Sequence, residues 1–343
     1  MKVILLMMRK KILITGASGF IGSTIVDKAV ELGFETWAGI RKSSNKRYLQ
    51  HDEIQFVNFD YADKAVLKSQ LEEFAKIHGK FDYIVHAAGL TKVINLSDFD
   101  DVNFIQTRNF VDALRETNHI PEIFIFMSTL GVMGPGDEIG YLPILQDLEP
   151  NPNTAYGKSK LKAENYIRAI SDFPYVFLRP TGVYGPRDKD YLILIRGIKK
   201  GFEVGAGFRK QLLSFIYIDD LVKIVFDVIQ KGISRRAYNV SDGACYTDAE
   251  FNQIVKNVLR RKRTLKIKLP LSIVRIAAKI NSRIARMLGK ATTFNNDKYY
   301  IMKQRNWNCD ISSLKEELDF KADYSLQRGI EKTVAWYMRE GWL

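Results

Sequence analysis

The chain has 343 residues, 46% of them hydrophobic, which is enough for one large domain or two modest ones with a substantial core. No run approaches the ~18 consecutive apolar residues of a membrane-spanning helix, and the short apolar run 3–8 leads into a strand, so we do not interpret it as a signal sequence. The net charge of +13 is local, because residues 251–306 hold 15 Lys and Arg against one acid, Asp297, which makes that segment +14 and the remainder −1. The scattered cysteines and histidines predict neither a disulfide framework nor a metal site and fit a reducing cytoplasm, where we expect the protein.

Strands and helices alternate through the first half of the chain, as they do in parallel sheets. Apolar, β-rich runs predict strands at 11–15, 34–40, 54–59, 83–86, 123–128 and 174–179. Helical periodicity predicts helices at 20–32, 63–78, 103–117 and 155–171. We therefore predict an α/β fold, a doubly wound parallel sheet that binds its ligand at the carboxyl ends of the strands. After Pro180 the sequence becomes glycine-rich and irregular, and the tail from about 243 onward is rich in helix patterns.

A glycine turn connects the first predicted strand to the first predicted helix. It reads Thr15-Gly16-Ala-Ser-Gly19-Phe-Ile-Gly22. A dinucleotide site requires this order of strand, turn and helix, because glycines let the backbone approach a pyrophosphate and the helix N-terminus offers free N–H groups. The spacing departs from the general G-x-G-x-x-G pattern, so an ordinary strand-to-helix turn is the other interpretation.

Tyr156 and Lys160 lie four residues apart in a predicted helix and so project from one face. A phenol ordinarily has a pKa of ~10, and a fixed ammonium nearby favours the phenolate and lowers that pKa. The pair could then donate and accept a proton at physiological pH. The spacing alone often arises by chance, and the glycine turn upstream is what makes it informative.

The turn and the Tyr/Lys pair together resemble the extended branch of the short-chain dehydrogenase/reductase superfamily. Further matching segments occur in the expected order, at 86–89, Asn103, 124–129, 178–187 and 215–220. The resemblance implies a Rossmann domain over 1–180, to which 215–240 returns, and a smaller, discontinuous C-terminal substrate lobe formed by 181–214 and 241–343. We also expect a homodimer.

The resemblance implies a role for each member of a catalytic triad. Tyr156 would be the general acid/base at the substrate oxygen, and Lys160 would lower its pKa and bind the nicotinamide ribose. The third member is a Ser or Thr five residues before a glycine, which selects Thr129, ahead of Gly134, over Ser128. The Thr129 hydroxyl would hydrogen-bond the reacting oxygen.

The implied cofactor-binding residues lie in the glycine turn, in the loops after the next three strands, in the triad and beside the nicotinamide. They are Gly16, Ser18, Gly19, Phe20, Ile21, Gly22, Arg41, Asp60, Tyr61, Ala87, Ala88, Gly89, Tyr156, Lys160, Arg179 and Pro180. A structural ion pair is the alternative for Arg179, and a plain turn aspartate is the alternative for Asp60.

The end of the second predicted strand bears on the choice between the two nicotinamide dinucleotides. An acid there binds the adenine ribose 2′-OH, but residues 38–44 hold no acid and two cations, Arg41 and Lys42. This resembles the NADP-using reductases of the branch, in which an arginine such as Arg41 would fork a 2′-phosphate. We predict a preference for NADP(H), with NAD(H) as the other candidate and a solvated basic loop as the alternative role for Arg41.

Two positions bear on the reaction. Nucleotide-sugar members of the branch commonly carry an Asn shortly after the Arg179 position, where Thr181-Gly182 supplies no amide, and an Arg-Asp where Leu213-Ser214 stand. We therefore predict an NADP(H)-dependent oxidoreductase acting on a carbonyl or hydroxyl carbon of a small, fairly apolar substrate, with motifs similar to dihydroflavonol reductase and 3β-hydroxysteroid dehydrogenase relatives. A nucleotide-sugar epimerase or dehydratase is the alternative, since other cations could bind a diphosphate. The apolar residues expected at the pocket are Leu130, Val132, Met133, Val183, Leu192 and Leu194.

The basic segment contains a stretch with helical spacing. Cations occupy one face (Arg275, Lys279, Arg283, Arg286, Lys290), and apolar residues lie mainly on the other. Two interpretations follow for 260–290: a peripheral contact with an anionic membrane, or a lobe helix with its apolar face in the core. One apolar face cannot serve both, and the core is the favoured interpretation. Nucleic acid is not expected as a partner, because no recognised binding module accompanies the charge.

Overall fold

Seven parallel strands form the central sheet in the computed structural model, which describes residues 9–289, 292 and 294–343. They are β1 Lys11–Thr15, β2 Glu35–Gly39, β3 Gln55–Val57, β4 Tyr83–His86, β5 Ile123–Met127, β6 Tyr175–Pro180 and β11 Arg236–Val240. Their order across the sheet is β11-β6-β5-β4-β1-β2-β3. The chain runs outward from β1 and then restarts beside it at β4, so the carboxyl ends of β1 and β4 flank the crevice where such sheets bind ligands.

Helices cover both faces of this sheet, which confirms the predicted doubly wound fold. On one face pack α1 Phe20–Glu31 and α7 Ile218–Lys231, and on the other α2 Lys64–His78, α4 Gln106–Glu116 and α5 Ala155–Arg168. The strands carry apolar residues on both faces because both faces are covered, so β5 is buried at every position.

The remaining elements build the smaller C-terminal lobe and its attachments to the sheet. The strands are β7 Gly182–Tyr184, β8 Phe202–Ala206, β9 Leu212–Leu213, β10 Phe215–Tyr217, β12 Tyr246–Thr247 and β13 Leu265–Leu269. The helices are α6 Asp190–Lys200, α8 Asp248–Val258, α9 Leu271–Met287, α10 Asn296–Lys303, α11 Ser312–Leu318 and α12 Leu326–Arg339. Because α7 and β11 return to the sheet between these parts, the lobe is discontinuous in sequence.

The largest difference from the predicted elements lies before α4. The helix predicted at 103–117 starts earlier, as the short helix α3 Ser97–Phe99, and passes through a π-helical turn at Asp100–Ile105 before α4 begins. Within that turn the buried Asn103 side chain hydrogen-bonds both backbone groups of Leu90. A helix periodicity read from sequence cannot detect an extra residue in a turn, and such bulges occur frequently at functional sites.

The prediction that the apolar face of α9 lies in the core is wrong for most of that face. Only Val274 and Ala278 are buried, where they pack with Tyr299 of α10. Across residues 9–289, 292 and 294–343, no helix is long and apolar enough to cross a membrane. Lys290, the last cation of the predicted basic face, lies outside the described residues.

Candidate active site

The glycine turn is packed too tightly for side chains at two of its glycines. Gly16 has a positive φ of 66°, and a Cβ there would lie 2.7 Å from the carbonyl oxygen of Ala87. A Cβ on Gly22 would lie 2.3 Å from the Gly16 carbonyl oxygen. The turn therefore rests directly on the loop after β4, and only glycine permits this approach.

The start of α1 fits an anionic group. Gly19 caps the helix without a side-chain hydrogen bond, and the first turn carries no acidic residue. The N–H groups and the positive end of the helix dipole at Phe20 and Ile21 are thus open to a phosphate. Together with the glycine contacts, this arrangement fits the pyrophosphate of a dinucleotide.

Buried hydrogen bonds hold the loop after β4 against the turn. The Thr15 hydroxyl bonds His86 Nδ1 at 2.8 Å and accepts the N–H of Ala88 at 3.1 Å. His86 Nε2 bonds the Thr107 hydroxyl at 3.0 Å. Burial lowers the pKa of His86 to about 3, so this imidazole is neutral and holds β1, β4 and α4 together.

A second set of hydrogen bonds ties the same loop to α5. Asn103 Oδ1 accepts the N–H of Leu90 at 2.7 Å, and its Nδ2 donates to the Ser159 hydroxyl at 3.1 Å. A Cβ on Gly89 would lie 3.1 Å from Lys160 Nζ. The predicted cofactor residues 87–89 therefore lie beside the predicted catalytic helix.

Tyr156 and Lys160 sit in the first turns of α5, which Thr154 caps by accepting the N–H of Gly157. Tyr156 is half-buried, and its ring centre lies 5.7 Å from that of Phe99. Lys160 is buried; its Nζ donates to the carbonyl oxygen of Met127 at 2.9 Å and lies 4.5 Å from the centre of the Phe126 ring.

The pKa of Tyr156 was expected to be lowered, but its surroundings raise it. Burial raises the pKa of Tyr156 to about 12, since the phenolate is poorly solvated there. Burial also lowers the pKa of Lys160 to about 8, with the nearby Glu164 carboxylate acting in the opposite direction. Desolvation is the cause of the shift in the pKa of Tyr156, and the attraction between phenolate and ammonium on which the sequence-based prediction relied is not among its causes.

Ser128 and Thr129 have different surroundings. The buried Ser128 hydroxyl donates to Glu164 Oε1 at 2.6 Å, so it is satisfied within the interior. Thr129 is half-buried, and its Oγ1 accepts the N–H of Gly131 at 3.1 Å. That turn packs against the start of α5, because a Cβ on Gly157 would lie 2.6 Å from the Gly131 carbonyl oxygen. The geometry is compatible with Thr129 as the third triad member.

Arg179 lies in a buried ion pair. Its Nη2 is 2.6 Å from Glu164 Oε2, and neither side chain is more than 3% exposed. Its Nη1 contacts Met133 Sδ and the carbonyl oxygen of Gln146. The guanidinium thus forms the structural ion pair that was the alternative role for Arg179. That Arg179 and Pro180 line the nicotinamide site stays a prediction.

The predicted adenosine-side residues differ in exposure. Arg41 is exposed just beyond β2, whose last carbonyl, on Gly39, accepts the N–H of Ala17 in the glycine turn. Asp60 is exposed, and its Oδ1 accepts the N–H of Ala62 at 3.0 Å, as a turn aspartate does. The Tyr61 ring packs 5.0 Å from that of Phe110, and within the described part of the chain its buried hydroxyl has no hydrogen-bond partner.

Two acids with structural roles at α5 were not predicted from the sequence. Glu164, four residues after Lys160, holds Ser128 and Arg179, and its helical spacing could have indicated it. Asp297 lies on α10 of the lobe, and its Oδ2 accepts the backbone N–H of Tyr156 at 3.0 Å. Its only sequence signal is that it is the one acid in the basic segment 251–306.

Most of the apolar residues expected to line the pocket are core residues instead. Leu130, Val132, Met133 and Leu192 are buried within the large hydrophobic cluster that also contains the inward residues of α1 and α7. Val183 is half-buried and Leu194 is exposed. The prediction of a pocket lined by all six is therefore wrong, because their apolar character fits the core as well as a pocket.

The model of the NAD dependent epimerase/dehydratase family matches residues 12–241, from β1 to just beyond β11. The chain belongs to this family. The curated relatives include a dehydrogenase, epimerases and dehydratases, and the protein is an enzyme of the NAD dependent epimerase/dehydratase class. The family match confirms the resemblance that was inferred from the motifs.

Similar proteins catalyse different reactions on this fold. Sterol-4-alpha-carboxylate 3-dehydrogenase (decarboxylating) of Saccharomyces cerevisiae is 23% identical over 96% of this chain and 98% of its own length. UDP-glucose 4-epimerase of Vibrio cholerae is 25% identical over 97% of both. The solved structure of the Bordetella bronchiseptica enzyme WbmG with NAD and UDP has a TM-score of 0.76 at 20% identity and covers 97% of this chain and 96% of that one. Family membership therefore does not decide between dehydrogenase and epimerase.

Proposed function

We propose that the protein is an NADP(H)-dependent oxidoreductase that transfers a hydride to or from the carbonyl or hydroxyl carbon of a small, fairly apolar substrate. Thr129, Tyr156 and Lys160 would form the catalytic triad. The observation that carries the choice of reaction is the environment of two places, Thr181-Gly182 and Leu213-Ser214, where nucleotide-sugar enzymes commonly place an amide and a cation.

Neither place offers a nitrogen-bearing side chain for a diphosphate. The Thr181 hydroxyl donates to the carbonyl oxygen of Val240 at 3.1 Å, and Leu213 pairs with Tyr246 in the short ladder of β9 and β12. Ser214 is buried beside them. A diphosphate would forgo charge-assisted hydrogen bonds worth roughly 1.5–3 kcal/mol each, whereas a small carbonyl compound needs no such contact.

The proposed triad residues would divide the work of carbonyl reduction. Tyr156 is protonated at neutral pH and would donate its proton to a substrate oxygen, although burial, by raising its pKa, makes it a weaker acid than an exposed phenol. Thr129 would donate a second hydrogen bond to the same oxygen, and Lys160, anchored on the Met127 carbonyl, would supply positive charge when protonated. When bound, the nicotinamide supplies or accepts the hydride.

The residues at the dinucleotide site support NADP(H) as the preferred cofactor. The structurally similar enzyme WbmG was solved in complex with NAD. In this chain, however, Arg41 is exposed just beyond β2, and residues 38–44 contain no acid. Gly16, Ser18, Gly19, Phe20, Ile21 and Gly22 would hold the pyrophosphate, Ala87, Ala88 and Gly89 would border it, and Asp60 and Tyr61 would face the adenine side.

A nucleotide-sugar epimerase or dehydratase is the second candidate, and Arg305 favours it. The Arg305 carbonyl accepts the N–H of Leu212 at 2.7 Å, which brings a cation beside Leu213-Ser214. Its guanidinium, however, contacts Glu138 at 3.4 Å and the Tyr141 hydroxyl at 3.1 Å, so part of its charge is already balanced.

One pair of measurements separates the candidates. The NADP-saturated protein is titrated calorimetrically with uridine and thymidine diphosphates, and turnover of NADPH is followed with a panel of ketones and nucleotide sugars. We expect turnover with ketones and no diphosphate binding. Micromolar diphosphate binding that is lost in Arg305→Ala, without ketone turnover, would establish the epimerase/dehydratase candidate instead.

For partners and location we propose a cytoplasmic homodimer and a peripheral contact of 260–290 with an anionic membrane. Light scattering on the eluting protein should give the mass of two chains. A single-chain mass at all concentrations tested would refute the homodimer.

A further inference from the structure

The helix α9 presents three faces rather than two. At 100° per residue, Val274 and Ala278 lie on the face that packs against α10. A second face carries the cations (Arg275, Lys279, Arg283, Arg286), and a third carries apolar residues (Ile273, Ile276, Ala277, Ile280, Ile284, Met287). Only the first of these faces is covered by the rest of the described chain.

The uncovered apolar face is large and continuous. Ile276 is 58% exposed, Ile280 55% and Met287 82%, and each is one turn or two from the next along the helix. Single exposed apolar residues are ordinary on protein surfaces, but a contiguous stripe of them marks an interaction site.

The cations beside this stripe have no protein partner in the part of the chain that the structure describes. Three cations elsewhere in the basic segment form ion pairs there, Lys256 with Glu203, Lys268 with Asp248 and Arg305 with Glu138. No described carboxylate lies within 4.0 Å of a nitrogen of Arg275, Lys279, Arg283 or Arg286. Their charge is directed to solvent and is open to an external anion.

The two-stranded ribbon that leads into α9 also carries exposed apolar residues. In the pairing of β8 and β13, Phe202 lies opposite Leu265, and Val204 lies opposite Ile267. Phe202, Val204 and Leu265 are exposed, and the ends of both strands pack with the covered face of α9. Exposed apolar side chains are therefore present on the ribbon as well as on the helix.

We propose that α9, with the adjoining ribbon, is a docking surface for an anionic lipid bilayer. An amphipathic helix on a membrane buries its apolar face ~5–10 Å into the boundary of headgroups and acyl chains, while flanking cations contact anionic headgroups. The side-by-side arrangement of an apolar stripe and unpaired cations matches both requirements. The surface lies one helix from the catalytic site, since α10 packs on α9 and its Asp297 accepts the N–H of Tyr156.

Other occupants fit less well. A second copy docked symmetrically through α9 would bring two sets of unpaired cations together, and like charges repel. Nucleic acid would engage the cations through its phosphates, but it would leave the stripe of Ile276, Ile280 and Met287 in water. Only a surface that is both anionic and apolar satisfies both faces.

The test is sedimentation of the full chain with vesicles of phosphatidylcholine alone or mixed with phosphatidylglycerol. We expect binding to the mixed vesicles only, weakening as salt is raised. Each cation near the surface contributes about fivefold to partitioning, so a variant with glutamine at four α9 cations should bind on the order of several hundredfold more weakly. The exchanged residues are Arg275, Lys279, Arg283 and Arg286.

Matched variants distinguish binding through the α9 surface from nonspecific binding through net charge or exposed apolar side chains elsewhere on the protein. Glutamine at four other exposed cations (Lys76, Arg115, Lys321, Arg339) removes the same charge and should leave binding close to wild type. The triple change Ile276→Ser, Ile280→Ser, Met287→Ser should weaken binding at least about tenfold. The triple change Ile77→Ser, Ile139→Ser, Met338→Ser removes equally exposed side chains elsewhere and should not.

Three results would overturn the proposal: equal or negligible binding to both vesicle types, wild-type binding by the α9 variants, or conversion of a dimer to a monomer by them in light scattering. Circular dichroism checks that each variant is folded. A measurement on wild type alone gives a second route, because anionic vesicles should slow amide hydrogen exchange over Leu271–Met287. Unchanged exchange there in the presence of bound vesicles would place the contact elsewhere.

Discussion

The interior around α5 and the surface of α9 hold charged side chains in opposite ways. Behind Tyr156, Arg179 and Glu164 are almost fully buried and pair at 2.6 Å. On α9, four cations are exposed with no carboxylate within 4.0 Å among the described residues. A buried charge without its partner costs several kcal/mol, whereas an exposed one costs little. Charge in the first region therefore supports the fold and the site, and charge in the second is open to a partner outside the chain.

Apolar side chains show the same contrast. In β5 and β6 every residue is buried between two layers of helices. On α9 most of the apolar stripe faces solvent. An amphipathic pattern therefore predicts that one face of a helix will be covered, but it does not predict whether the chain itself or a partner covers that face.

The largest effect should come from the proposed chemistry in the interior region. Tyr156→Phe removes the proton route and should lower turnover ~10²–10⁴-fold while cofactor binding persists, because the phenol adds little to the cofactor's contact area. Steady-state kinetics and NADPH titration measure the two properties. The control is Tyr166→Phe on the same helix, whose hydroxyl bonds Asp112 and lies outside the proposed triad. Near-normal turnover by the Tyr156 variant would remove this residue from the mechanism.

Stability should distinguish the two regions directly. Arg179→Met removes the nearer of the two arginines that pair with the buried Glu164, leaving only Arg168 at 3.3 Å, and should lower the free energy of unfolding by about 3 kcal/mol. Arg283→Met on α9 removes an exposed cation and should change it by no more than about 0.5 kcal/mol. Urea unfolding of both variants gives the comparison, and similar losses in the two would show that the α9 cation has a partner within the fold.

The preference between NADPH and NADH tests the proposed role of Arg41, an exposed cation just beyond β2. Arg41→Ala should weaken NADPH binding about 10- to 100-fold, the equivalent of one charge-assisted hydrogen bond, and leave NADH binding unchanged. Arg47→Ala is the control from the same loop, because Arg47 pairs with Glu340 at 2.9 Å. Fluorescence titration with both cofactors measures the effect. Tighter binding of NADH than of NADPH by the wild type would contradict the proposed preference.

The smallest expected effect is the pH dependence of the free energy of unfolding that comes from the buried His86. His86 is neutral in the fold with a pKa of about 3, against an ordinary value of 6.5. Its contribution to stability is present above pH 6.5 and is lost as pH falls toward 3, because only the unfolded chain then binds the proton. At pH 5 the loss should be about 2 kcal/mol. Unfolding of wild type and His86→Gln at pH 8 and pH 5 checks this, and an equal loss in both would assign the pH dependence to other groups.

Features that depend on local spacing could be predicted from the sequence. Apolar, β-rich runs located six of the seven central strands within two residues, since these patterns reflect the geometry of each element, whereas β11 was expected only as part of the region 215–240 that returns to the sheet. The glycine turn, and Tyr156 with Lys160 on one helix, also follow from short-range spacing. Family membership could be read from these motifs because they recur in order along the chain.

Tertiary structure alone decided what surrounds each of those residues. Asp297 reaches the Tyr156 amide from 141 positions away, and no local pattern encodes such a contact. Desolvation around Tyr156 and Lys160 sets their pKa values, and desolvation depends on which elements pack over them. The same holds for Leu130 and Met133, which are core residues rather than pocket residues, and for the exposed stripe of α9. Burial is a property of the whole packed chain, so spacing can indicate which side chains share a face but not what that face meets.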